Sequence, residues 1–276
     1  MKLAYMYATP DVEPAQVTAI QGPIASTLEI IASAGYTGVE LLVCNPAQIN
    51  RRTLADAIRV TGLDMPAVCT GEVYGQDGLS FADPDPLRRL QAIDRMKASM
   101  DLAAEFGAMV NIGRLRGRYR DDVASQQTLD WIGEAIEASA RAFPEVPIVL
   151  EPVNRNYANC LMTTRETCAF VRDLGVASLG VMLDTAHIIT EQETVSDAIR
   201  EAGDLFWHFH ITDSDRLPVG DGSYDIAAAM KAVQESGFDR YVTVETFQIP
   251  DAAHSILASR EAMQPYFPSA SLRDPL

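Results

Sequence analysis

The chain has 276 residues, of which 47% are hydrophobic, enough to bury the core of one large α/β domain or two ordinary ones. Its formal net charge of −16 repels phosphate backbones and anionic membrane surfaces, which argues against nucleic acid and membrane as partners. No apolar run approaches the roughly 18 residues of a membrane span, the N-terminal MKLAYMYATPDVEP lacks the apolar core of a signal peptide, and the four cysteines, Cys44, Cys69, Cys160 and Cys168, form no CxxC pair. A cytoplasmic protein with reduced, buried thiols is expected.

Short runs rich in apolar and β-branched residues alternate with longer amphipathic segments throughout, without a linker that would mark a domain boundary. Strands are predicted at residues 3–7, 38–43, 65–70, 109–115, 147–153, 179–184, 206–212 and 241–247. Helical patterns lie between them: STLEIIASAG, LRRLQAIDRMKASMDLAAEFG, TLDWIGEAIEASARAF, TTRETCAFVRDLG and IAAAMKAVQESG. Several end in a glycine suited to a helix C-terminus. Eight β-then-α units predict a (β/α)8 TIM barrel as a single domain over residues 1–276, with a doubly wound open sheet as the alternative.

Active sites of such barrels form at the C-terminal ends of the strands. Four successive predicted strands carry an ionisable residue there: Glu151 in PIVLEPV, Asp184 in LGVMLDTAH, His210 in LFWHFHITDS and Glu245 in RYVTVETFQIP. Strand alternation sets Glu151 on the face of Val149 and Val153, Asp184 with Met182, His210 with His208 and Thr212, and Glu245 with Thr243 and Phe247. Taken singly, each could be satisfied by its own hydrogen bond or ion pair. Three carboxylates converging on one spot repel each other unless a cation joins them. A single divalent ion is therefore expected, bound by Glu151, Asp184, His210 and Glu245. Oxygen-rich ligation with one imidazole favours Mn²⁺ first, then Mg²⁺ or Co²⁺, over Zn²⁺. His208, two residues deeper on the same face, is read as packed behind the site.

The stretches VLEPVNR, MLDTAHI, HFHITDSDR, GDGSYDI and YVTVETF occur in this order and spacing in the xylose isomerase-like TIM barrels. The chain most resembles their ketose 3-epimerase and 5-keto-L-gluconate epimerase branch. TGEVYGQDGLSFADPD and EFGAMVNIGRLRG extend the likeness over nearly the whole length. The resemblance implies that Glu151 and Glu245 hold the metal and also exchange the substrate proton, that Asp184 and His210 complete the site, and that His187 and Arg216 contact substrate oxygens. It also singles out Tyr157, which stands where those 3-epimerases carry a glutamate. Arg114, with Arg116 and Arg118 in GRLRGRYR, is read in two ways: as a reader of an acidic substrate such as a keto-aldonate or sugar phosphate, or as part of a solvated loop.

The expected reaction is proton transfer beside a carbonyl through a cis-enediolate, which makes a metal-dependent keto-sugar epimerase or isomerase, with 3-epimerase first. The alternative is a keto-sugar lyase, dehydratase or decarboxylase on the same scaffold. An abasic-site endonuclease would need more histidines than the four present and a basic face. A small-molecule sugar is the expected partner, and a homo-oligomer, dimer or tetramer, is expected by analogy with similar barrels.

Overall fold

The computed structural model describes residues 1–267. Eight parallel strands run in chain order around a closed barrel: β1 (Lys2–Ala8), β2 (Gly38–Leu42), β3 (Ala67–Cys69), β4 (Met109–Ile112), β5 (Ile148–Leu150), β6 (Leu179–Asp184), β7 (Phe206–Ile211) and β8 (Tyr241–Val244). β8 closes the ring on β1, with Lys2 opposite Tyr241 and Tyr5 opposite Val244. A two-residue strand, Ile20–Gln21, adds to the end of β1. The helices that follow the strands are α1 (Ile24–Ser33), α2 (Arg51–Thr61), α3 (Pro86–Phe106), α4 (Ser125–Ala142), α5 (Thr164–Leu174), α6 (Val195–Ala202), α7 (Ile226–Glu235) and α8 (Ala252–Met263). The predicted (β/α)8 barrel is the observed fold, and the open sheet is excluded by the closure.

Local sequence explains where these helices begin and end. In α5, Thr163 accepts from the Glu166 amide while Glu166 reaches back to the Thr163 amide, and Gly175 closes the helix at φ 64°. Such a capping box, with a left-handed glycine after it, leaves few terminal backbone groups unpaired, each cap stabilising by about 1 kcal/mol. α5 then buries Thr164, Thr167, Cys168 and Val171, the i, i+3, i+4, i+7 spacing of one helix face.

The apolar interior is in two parts. The larger packs the outward strand residues, among them Leu3, Tyr5, Val39 and Leu41, under the helices. A smaller cluster of Met6, Ala8, Leu42, Cys44 and Cys69, joined by Val12 and Val17, fills one side of the barrel's inner mouth. The ladder register puts Met6 beside Glu40, Cys69 beside Asn111, and Asp184 beside His210, itself beside Thr243. In parallel strands such neighbours share a face, so the polar inner residues adjoin the apolar ones around the mouth.

Four strands are shorter than predicted by three or more residues. The 109–115 prediction ends at Ile112, where Arg114–Arg116 turns into a 3-10 helix; residues 147–153 and 241–247 shrink to Ile148–Leu150 and Tyr241–Val244, and 65–70 to Ala67–Cys69. Glu151 and Glu245 still donate one backbone hydrogen bond each, to Ile112 and Ile211, and then leave the ladder. Both carboxylates therefore sit on the first residue past a strand. All four cysteines are buried and free, as expected. Among the described residues, no helix is long and apolar enough to cross a membrane.

Candidate active site

The polar side of the mouth is assembled from five strand ends. Glu151 follows β5, and its carboxylate fits against Gly113, where a Cβ would come within 2.6 Å of Oε2. Asn111, inside β4, donates to that same Oε2 at 3.3 Å. Asp184 ends β6 and caps the short helix Thr185–Thr190, its Oδ1 accepting from the Ala186 amide at 2.7 Å. This cap sets His187 one turn in, with Nε2 3.4 Å from Glu151 Oε1 and 3.9 Å from Asp184 Oδ2. Asn154, on the loop after β5, meets His187 Nδ1 at 2.9 Å and fixes the ring from behind.

His210 on β7 lies between two acids: Nδ1 is 3.0 Å from Glu245 Oε2, and Nε2 is 3.0 Å from Glu40 Oε1. Glu245, past β8, also accepts from Thr18 Oγ1 at 2.7 Å and from Arg216 Nη1 at 2.9 Å. Arg216 donates its other nitrogen to Asp184 Oδ2 at 2.9 Å. It belongs to a 3-10 turn, Ser214–Arg216, in which Asp215 and Arg216 both take φ of 57°. Non-glycine residues rarely hold this left-handed conformation. Here Thr246 Oγ1 and the Phe247 amide donate to the Arg216 carbonyl at 2.6 and 2.9 Å and pin the turn.

Burial and charge act against each other in this cluster. Burial pushes the Glu245 carboxyl up, but Arg216 and His210 outweigh it and hold the group well below the usual carboxylate range. Burial likewise opposes ionisation of Glu151, and His187 nevertheless brings it below normal. Asp184 goes the other way: burial, with Glu245 and Glu151 nearby, raises it despite Arg216 and His187. For His210 burial favours the neutral ring, yet Glu40 and Glu245 together lift it well above an ordinary histidine. These carboxylates draw positive charge toward themselves from every available side chain.

Donor atoms of Asp184, His210 and Glu245 all lie within 4.8 Å of one another, and so do those of Glu151, Asp184 and His187. Asp184 belongs to both groups. The four residues expected to bind a metal are thus brought together at one mouth, with His187 beside them. Three of the four are carboxylates, and among the described residues a single guanidinium, that of Arg216, is ion-paired to them; this donor set fits a hard divalent ion.

A cavity of about 300 Å³ opens over the cluster, lined by Glu151, His187, Arg216, Glu245, Tyr157 and Arg114, together with Thr18, Glu72 and Phe247. That is the low end of the roughly 300–1,000 Å³ range of small-molecule sites. Tyr157 stands at its rim, 41% exposed, its ring edge-on to His187 with centroids 6.3 Å apart. Arg114 reaches the cavity but is ion-paired to Glu72. Gly75 leaves room for this pair, since a Cβ there would come within 2.7 Å of Arg114 Nη2.

The grouping of Arg114, Arg116 and Arg118 as one anion-reading patch requires correction. Arg116 is fully buried and donates to the carbonyls of Glu151, Cys160 and Leu161, so it fastens the loop after β5. Arg118 is exposed and does not line the cavity. His208 lies behind the site, as expected, bonded to Glu40 at 2.7 Å. Glu40, Glu72, Asn111, Asn154 and Thr18 were not singled out from the sequence. Glu40 had a readable signal, a lone acid within the apolar strand GVELLV, the same pattern that marked Glu245.

The xylose isomerase-like TIM barrel profile matches residues 28–266. An L-ribulose 3-epimerase of Mesorhizobium japonicum is 28% identical over 236 residues, covering 82% of this chain and 76% of its own. A 3-dehydro-D-guloside 4-epimerase of Escherichia coli K12 is 24% identical over 236 residues, covering 80% and 86%. Among solved structures, D-psicose 3-epimerase with D-tagatose from Clostridium cellulolyticum H10 superposes with a TM-score of 0.80 at 19% identity, over 96% of this chain and 97% of the other. At that identity the superposition speaks to the fold alone.

Proposed function

Because the chain belongs to the xylose isomerase-like TIM barrel family, we propose that it is a divalent-metal-dependent epimerase of a neutral keto sugar, with the carbon beside the carbonyl, C3, as the inverted centre. The observation that carries this reading is the pair Glu151 and Glu245, two buried carboxylates held below their ordinary range that line one sugar-sized cavity from β5 and β8. Both are ionised and both can accept a proton. Epimerisation needs two such groups, one to remove the α-proton and one to return a proton to the other face. Similarity to a ribulose 3-epimerase and to a 4-epimerase of a dehydro-sugar supports sugar epimerisation as the reaction class.

Asp184, His210, Glu151 and Glu245 would hold the metal. When bound, it would supply positive charge against the oxygen that becomes an enediolate. Arg216 and His187 face the same cavity and can donate to substrate hydroxyls, while Thr18 and Asn111 orient the two glutamates from outside. Tyr157 and Phe247 give the cavity apolar walls for the carbon chain.

A neutral substrate is favoured over an acidic one by the partners of the arginines. Arg114 is matched by Glu72, Arg216 by Asp184 and Glu245, and Arg116 is spent on carbonyls. Among the described residues, the two cavity-lining guanidiniums, Arg114 and Arg216, are both matched by carboxylates, which leaves neither free for a carboxylate or phosphate of the substrate. The same pairing weighs against a decarboxylase, whose substrate brings a carboxylate.

Incubation with candidate keto sugars and Mn²⁺ in D₂O tests the reading, with product configuration read by NMR. Deuterium at C3 with inverted stereochemistry is the expected result. Inversion and label at C4 would move the activity to the neighbouring centre, and a carbonyl shifted between C1 and C2 would make it an aldose–ketose isomerase. Loss of CO₂ or of a β-substituent would hand it to the lyase alternative. No exchange with any keto sugar, metal present, would overturn the enediolate mechanism.

A further inference from the structure

Glu40 has no place in the chemistry above, yet it is fully buried in the middle of β2 beneath the site. Both of its oxygens are engaged by histidines: His208 Nε2 approaches Oε2 at 2.7 Å, and His210 Nε2 approaches Oε1 at 3.0 Å. The two rings stand edge to face with centroids 5.1 Å apart. At these distances the side chains are in direct hydrogen-bond contact.

An ionised carboxylate has only acceptors to offer. Each histidine must therefore present an N–H to Glu40, and the nitrogen that does so is Nε2 in both. For a neutral imidazole this leaves Nδ1 as the bare acceptor. An independent observation agrees: His208 Nδ1 is buried and has no hydrogen-bond partner among the described residues. A lone pair left in that position costs less than an unpaired N–H would. On His210, hydrogen on Nε2 leaves Nδ1, 3.0 Å from Glu245 Oε2 and close to the Asp184 donor atoms, as the nitrogen whose proton a bound ion would replace.

We infer that Glu40 is a positioning residue that fixes His208 and His210 with hydrogen on Nε2, and that it thereby turns His210 Nδ1, rather than Nε2, toward the ion. One buried carboxylate sets both rings. His208 in turn packs beneath His210 and touches Thr243 Oγ1 through Nε2 at 3.3 Å, which keeps Glu40 from rotating away. The metal half of this inference rests on the reading proposed above; the tautomer half does not.

Two measurements on the full-length chain separate these halves. In long-range ¹H–¹⁵N spectra of the metal-free protein, assigned with His208→Asn, the His208 ring is expected to carry hydrogen on Nε2, the nitrogen that meets Glu40; hydrogen on Nδ1 would overturn the inference. With diamagnetic Mg²⁺ or Zn²⁺ added, His210 should show Nε2–H and a metal-shifted Nδ1, and a metal-shifted Nε2 would also overturn it. Calorimetric titration with Mn²⁺ should then give a 10- to 100-fold weaker affinity for Glu40→Gln than for the natural chain, because an amide can turn its NH₂ toward one ring and release that ring's tautomer. An affinity within twofold, in a variant whose circular dichroism is unchanged, would refute the role. If the natural chain binds no divalent ion at all, the metal-dependent function fails, and the His208 spectrum alone decides the tautomer assignment. Should Glu40→Gln not fold, the two spectra of the natural chain carry the test.

Discussion

Arg216 donates to Glu245 across 2.9 Å, so a residue on a left-handed turn after β7 provides the fixed charge that keeps the carboxylate after β8 ionised. Arg216→Ala would leave Glu245 and Asp184 as buried acids facing one another, a loss of roughly 3–5 kcal/mol when one partner of a buried pair is removed. The loss should be largest in chelator and should shrink when Mn²⁺ is added, because the ion supplies the missing charge. Thermal melts with and without metal check this; equal losses in both conditions would show that the arginine acts only as packing. Arg216→Lys should rescue in part, lacking the planar fork that spans two carboxylates.

Glu245→Gln should lower turnover by about 10²–10⁴, the usual share of a general acid or base. It should also destabilise the metal-free protein by about 1–3 kcal/mol, because Arg216, His210 and Thr18 all address the carboxylate it replaces. Rates with saturating Mn²⁺ and denaturant melts in chelator measure the two effects separately. A variant with more than a tenth of the natural rate would remove Glu245 from the proton-transfer step.

The pH dependence of the metal-free protein should have two limbs. Glu245 is depressed in the folded state, so its contribution is present above its unfolded value of about 4.3 and is lost as the pH falls through that range. His210 is raised in the folded state, so its contribution is full below about 6.5 and declines as the pH climbs toward its folded value. Asp184, raised by burial, blunts the acidic limb. Urea melts across pH should therefore show greatest stability between about pH 4.5 and 6.5 in chelator. Bound metal should abolish the alkaline limb, since it takes the place of the His210 proton; an alkaline limb that is the same with metal would count against His210 as a ligand.

Glu72→Ala should convert Arg114 from a matched partner into a free guanidinium at the cavity wall. KM for keto-aldonates should then fall by roughly 10- to 100-fold, in keeping with the 1.5–3 kcal/mol of a hydrogen bond to a charged group, while neutral ketoses bind no better. Arg114→Ala in the natural background should affect neutral substrates only modestly. Steady-state kinetics on a matched pair, a ketose and its acid, compare the two; identical shifts for both substrates would place the ion pair outside the specificity wall.

The barrel was legible because its signals are local. Eight apolar runs separated by capped amphipathic segments repeat along the chain, and alternation within a strand tells inner from outer residues. Glu151, Asp184, His210 and Glu245 stood out because a charge inside a strand demands a partner, whatever the fold. The same rule applied to Glu40 in GVELLV, but its partners lie 168 and 170 residues away, and nothing in the neighbouring sequence announces them.

What only the tertiary structure decided is which charges cancel which. The sequence by itself determined the fold, the order of its strands and the four residues at the mouth, since periodicity and burial act within one segment. The arginines after β4 looked alike in the run GRLRGRYR, yet one is buried on carbonyls, one is paired with Glu72 and one faces solvent. That sorting follows from the 3-10 turn at Arg114–Arg116, which aims consecutive side chains in different directions. The polarity of the cavity depends on those directions because a buried charge is matched only by a partner within hydrogen-bonding distance, and distances of that kind exist only once strands far apart in the chain have closed into a ring.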